Sequence, residues 1–106
     1  MVKNGMRPVH PGEILREEFM RGSDPGINAN SLAKALAVPP NRITAIIKGQ
    51  RGITGDTAVR LAAFFITTAE FWMNLQKTYE LRLAEQALPE KTRKHIEGKR
   101  ELFVTV

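Results

Sequence analysis

Between Pro11 and Leu88 the apolar residues recur at intervals of three and four and not of two, so the chain reads as a succession of amphipathic helices. A first helix is predicted over about 11–21. Pro11 suits a first helical turn, Glu13 favours the positive end of the helix dipole, Ile14, Leu15 and Phe19 face inward, and Gly22 supplies a stop. The SDPGI stretch, 23–27, is turn chemistry. Asn28 then caps a short helix over about 29–37 that carries Leu32, Ala33 and Leu36 on one face. After a break at Val38-Pro39, Pro40 opens a third helix, about 40–48, with Ile43, Ile46 and Ile47 as its buried stripe and Gly49 as its end. Thr54 caps a fourth helix built on Ala58, Leu61, Ala62 and Phe65. Thr67 and Glu70 have capping-box spacing ahead of a long fifth helix, about 68–87, which Leu88-Pro89 ends. Beyond it KTRKHIEGKR is polar and charged, and LFVTV, rich in β-branched residues, predicts a short strand able to pair with another chain. The predicted fold is all-α: a five-helix domain over 1–88 with a short C-terminal tail, 89–106.

A chain of 106 residues closes one ordinary core. It holds no cysteine, which excludes a disulfide framework, a thiolate nucleophile and a thiolate metal site. No apolar run approaches the roughly 20 residues that cross a bilayer, and MVKNGMRPVHPGE lacks the apolar middle of a signal peptide, so a cytoplasmic protein without membrane contact is expected.

The net charge is +5, and its distribution matters more than its size. Over residues 1–29, Lys3, Arg7, Arg16 and Arg21 balance Glu13, Glu17, Glu18 and Asp24. Over 30–60, Lys34, Arg42, Lys48, Arg51 and Arg60 face Asp56 alone. A positive field concentrated there favours a phosphate backbone through counterion release, although charge by itself is equally compatible with a solvated basic face.

Two short helices joined by a tight turn, the second anchored by an apolar stripe, suit reading of a DNA major groove. With Ile43, Ile46 and Ile47 turned inward, Pro40, Asn41, Arg42, Thr44, Ala45 and Lys48 are left outside. Asn can pair bidentately with adenine and Arg with guanine, and Pro40 or Ala45 can touch a thymine methyl.

The stretch GINANSLAKALAVPPNRITAIIKGQRGIT resembles the helix-turn-helix of the Cro/C1-type (XRE) repressor superfamily, which implies a lambda-repressor-like fold. HPGEILREEF before it and TAVRLAAFFITTAEFWMNLQKTYELRLAE after it resemble HigA (VapI-type) antitoxins of type II toxin–antitoxin modules. The likeness covers about residues 8–86, and its HPGEIL and EFWMNLQ blocks are more specific than the helix-turn-helix itself, about 29–48. It implies a homodimer that binds operator DNA, represses its own operon and neutralises a HigB toxin, a RelE-like ribosome-dependent mRNA endonuclease. By the same likeness Pro40, Asn41 and Ala45 stand at base-reading positions, with Arg42 and Thr44 flanking them. Asn28 and Ser31 stand where backbone phosphate is gripped, and Lys48, Gln50 and Arg51 touch phosphate as the chain leaves the groove. Two departures stand out. Ala37 occupies a turn position where the family has Gly, and Pro39-Pro40 removes amide donors while presetting the helix entry.

Other chemistries find less support. Trp72, beside Phe71 and Leu75 at helical spacing, reads as core or dimer seam and not as a ligand platform. His10 and His95 lie far apart without a carboxylate at ligand spacing, so no metal is expected. Glu13, Glu17 and Glu18 read as a solvated face, and the scattered glycines form no phosphate-cradling loop. Neither a cofactor nor an enzymatic activity is expected. The alternatives are a stand-alone XRE-type regulator without a toxin and a protein-interaction module built on helix five and the tail.

Overall fold

The computed structural model describes residues 7–22 and 26–103; of the predicted SDPGI turn, Ser23, Asp24 and Pro25 lie outside the described residues. Helix starts follow local acceptors. The His10 Nδ1 accepts the Gly12 amide proton at 2.9 Å and opens α1 (Pro11–Ile14). Asn28 Oδ1 accepts from the Ser31 amide at 2.8 Å and caps α2 (Ala29–Leu36). Pro39, fixed at φ −63°, leads into α3 (Pro40–Ile47), and the Thr54 hydroxyl caps α4 (Gly55–Phe65).

At α5 (Ala69–Ala87) the cap is Thr68, whose hydroxyl accepts from the Phe71 amide at 3.0 Å, one residue later than the predicted Thr67. Thr67 is otherwise engaged: its hydroxyl accepts the indole N–H of the fully buried Trp72 at 2.8 Å. A buried indole donor without a partner would cost about 1–3 kcal/mol, so the tertiary bond takes that hydroxyl.

The first helix also differs from its prediction after Ile14. Leu15–Met20 is π-helical, and the Arg21 amide donates to the Arg16 carbonyl at 3.0 Å, closing a five-residue step. At about 100° per residue an α-helix would place Leu15 and Met20 some 140° apart; the wider turn lets both enter the core.

That core is made by Leu15, Leu32, Leu36, Ile43, Ile46, Ile53, Leu61 and Trp72 with smaller residues between them. Phe19 packs at 4.7 Å centroid distance from Trp72 and 5.2 Å from Phe65, so α5 is clasped by the first helix and α4. Burying each large side chain contributes about 1.5–3 kcal/mol.

The predicted tail is corrected. Pro89 starts a new helix, α6 (Glu90–Gly98), followed by α7 (Arg100–Phe103), so Leu102 and Phe103 are helical and not strand; the rest of LFVTV, 104–106, lies outside the described residues. Glu90 sits in the first turn of a segment of good helix formers, whereas a strand needs a partner ladder, and none exists among the described residues. No residue of α6 or α7 is buried, and the molecule extends 57 × 28 × 24 Å.

Candidate nucleic-acid interface

The turn between α2 and α3 is sharp because Ala37 adopts φ 58°, ψ 45°, the left-handed region that glycine tolerates best. The Val38 amide bonds back to the Ala33 carbonyl at 3.0 Å, closing the end of α2. Arg60 of α4 reaches the same corner: its Nη1 donates to the Leu36 carbonyl at 2.7 Å and lies 3.4 Å from that of Ala37.

The corner presents α3 as the sequence predicts. Ile43 and Ile46 are fully buried and Ile47 half-buried, while Pro40 and Asn41 are exposed and Ala45 is half-buried. The half-buried Thr44 turns its hydroxyl back on its own helix, 3.3 Å from the carbonyl oxygens of Pro40 and Asn41. Lys48, Gln50 and Arg51 follow in an exposed loop, entered through Gly49 at φ 75°. Asn28 and Ser31 are exposed at the start of α2, with the Asn28 side-chain oxygen occupied by its capping bond.

Arg42 is the departure. Its side chain is only 23% exposed, and Nη1 donates to Asp56 Oδ2 at 2.6 Å. The same oxygen accepts from Arg60 Nε at 3.0 Å. The two guanidinium groups, Arg42 foremost, hold the Asp56 carboxyl below the usual carboxylate range.

Two further residues, unassigned by sequence reasoning, brace the loop behind α3. His10 packs edge-on against Tyr79 at 4.8 Å and lies beside Gly49; burial pushes its imidazole below the ordinary histidine value, against a smaller raising effect of the Arg51 backbone. From the other side Gln76 of α5 accepts the Ile53 amide proton at 2.7 Å through Oε1 and donates to Glu80 at 2.7 Å through Nε2. Gly52 leaves room for it, because a Cβ there would lie 2.7 Å from Gln76 Nε2. The HPGEIL and EFWMNLQ blocks thus acquire a physical role: Gly12 meets the backbone of α3 at Ile46, His10 and Gln76 hold its exit loop, and Trp72 fixes α5 in the core against Phe19 and Phe65. A sequence signal for Gln76 exists in its i+4 spacing from Trp72, which puts a polar side chain on a buried face. Asp56 is signalled by being the lone acid among the basic residues of 30–60.

No family model matches the chain. It is 52% identical over 84 residues to virulence-associated protein I of Dichelobacter nodosus, a match that spans 79% of this chain and 76% of that relative. Against antitoxin HigA-1 of Vibrio cholerae the identity is 38% over 81 residues, spanning 76% of this chain and 74% of the relative. Among solved structures, the Pseudomonas aeruginosa antitoxin HigA with the higBA promoter superposes with a TM-score of 0.76 at 45% identity, covering 92% of this chain and 100% of that one. An anchored, outward-facing α3 and these likenesses agree: the chain belongs to the HigA/VapI-type antitoxins of the XRE helix-turn-helix superfamily.

Proposed function

We propose that the chain is a sequence-specific DNA-binding antitoxin that represses its own operon and neutralises a RelE-like HigB mRNA endonuclease, acting by binding and not by catalysis. The observation that carries the DNA half is α3 itself: Ile43 and Ile46 hold it in the core while Pro40, Asn41, Lys48 and the Gln50-Arg51 loop stand on one exposed edge. A helix so placed can enter a major groove, with Asn41 and Arg42 supplying hydrogen-bond readout, Pro40 and Ala45 apolar contacts, and Asn28, Ser31, Thr44, Lys48, Gln50 and Arg51 grips near the backbone. In this reading 1–88 is the DNA-binding domain and 89–106 an appendage.

The active species is a homodimer. One eight-residue helix reads few base pairs, and two-fold pairing adds a second half-site about 34 Å away. One face of α5 supports this, because Met73 and Leu81 are exposed along it, in line with Ala84. No described helix is long and apolar enough to cross a membrane, and an operator-bound protein works in the cytoplasm.

Fluorescence anisotropy on the chain's own promoter tests the DNA half. Selective binding that weakens steeply with salt and is lost in Asn41→Ala/Arg42→Ala supports it, whereas no binding at low salt overturns it. Co-purification with the product of the adjacent gene tests the antitoxin half separately, and failure to capture a small RelE-like protein overturns that half alone. A monomer by light scattering at micromolar concentration overturns the dimer.

A further inference from the structure

We propose that Asp56 is a positioning residue for DNA discrimination: it aims the Arg42 guanidinium and withholds it from phosphates that lack the matching base. The inference rests on the DNA-reading function proposed above. It is motivated by a placement that affinity alone disfavours. Asp56 is the lone acid of the 30–60 stretch, its side chain is 56% exposed, and it stands beside the recognition helix, where a negative charge repels any phosphate.

What the carboxylate does there is geometric. A single oxygen, Oδ2, receives Arg42 Nη1 from α3 at 2.6 Å and Arg60 Nε from the next turn of α4 at 3.0 Å. Arg60 in turn holds the Leu36 carbonyl at 2.7 Å, so the network runs from the recognition helix through α4 to the turn that sets the angle between α2 and α3. An unrestrained arginine offers five donors that any phosphate can satisfy, and such contacts carry no sequence information. Held by Asp56, Arg42 has lost most of its rotamer freedom before DNA arrives, so a base edge in line with its fork is met at little entropic cost. On random DNA the pair persists, and the protein presents one fewer free cation.

The experiment compares operator and random-sequence duplexes by anisotropy across a salt series, using the full chain and the isosteric Asp56→Asn variant. The variant is expected to bind random DNA more tightly with a salt slope steeper by about one, to gain no operator affinity, and so to lose about tenfold in the operator-to-random ratio. The same substitution in an Arg42→Ala background is expected to leave the ratio unchanged, a result that a merely structural role for Asp56 would not give. A thermal melt of each variant checks that it is folded. An unchanged ratio in Asp56→Asn, with the wild type still discriminating, overturns the role of Asp56 and leaves the DNA reading intact. An equal drop in both backgrounds also overturns it, because Asp56 would then act independently of Arg42. A folded wild-type chain that fails to discriminate removes the DNA reading and this inference with it.

Discussion

A Cβ built on Gly12 would lie 1.8 Å from the carbonyl oxygen of Ile46, so α1 meets the recognition helix backbone to backbone. Neither side of that contact is a movable side chain. Gly12→Ala is therefore expected to push the helices apart and destabilise the fold by about 3 kcal/mol or more, read as a lower urea midpoint. Operator affinity should fall with it, since Ile46 is one of the residues that anchor α3. A midpoint within experimental error of wild type would show that the crossing tolerates a methyl group.

Among the described residues, left-handed backbone is borne by two that are not glycine, Ala37 at φ 58° in the helix-turn-helix corner and Ile66 at φ 58° after α4. That conformation costs an L-residue roughly 1–2 kcal/mol, and glycine's extra freedom in the unfolded chain returns part of the gain. Ala37→Gly should raise stability by about 0.5–1 kcal/mol. Ile66→Gly should match or exceed that, because Ile66 is β-branched and 92% exposed, so little packing is lost. The denaturation slope should not change. Lower midpoints in both variants would mean that the corner residues contribute packing that outweighs their strain.

The parts of the fold governed by local chemistry were legible in the sequence. Asn28 caps α2, and Ile43 and Ile46 form the buried stripe of α3, because caps and 3.6-residue periodicity act over a single turn. The misreadings arise where packing against the core, or the presence or lack of a partner, overrides the local pattern. Met20 lies off the α-helical stripe and is buried only through the π segment. Thr67 has capping-box spacing but serves the Trp72 indole. Leu102 and Phe103 have strand composition but no strand to pair with among the described residues. At the candidate interface, Asn41 stands exposed as expected, while Arg42, fourteen residues from Asp56, is ion-paired in a way that no local pattern announces.

Gln76 is the partner of the Ile53 amide, and Ile53 is 2% exposed, so the bond is made away from water. Gln76→Leu keeps the apolar packing but strands a buried N–H, at a cost of about 1–3 kcal/mol. Hydrogen exchange at the Ile53 amide should accelerate more than at core amides of α4, because the loop from Lys48 to Thr54 is released locally. Operator affinity should fall modestly through Gln50 and Arg51, which ride on that loop. Uniform acceleration across the whole chain would instead mean that the bond supports global stability without specifically holding the loop.

His10 predicts a pH dependence with a definite sign. Its Nδ1 accepts the Gly12 amide proton, and a protonated ring has no lone pair there to accept with. Desolvation lowers the imidazole pKa, against opposing contributions from the Arg51 backbone and Glu13, so the folded chain binds this proton less readily than the unfolded chain. The stability so contributed is fully present above the ordinary histidine value of about 6.5. It is lost as pH falls below that value and through the lower folded one. Glu13 and Asp56 titrate outside this window, because arginine partners hold both carboxyls low. Between pH 7.5 and 5, the wild-type melting temperature should therefore fall further than that of His10→Asn, which caps the helix without titrating. The variant will start lower, having lost the Tyr79 contact, so the diagnostic is the difference in slope. Parallel profiles would show that the imidazole leaves the cap before it takes up its proton.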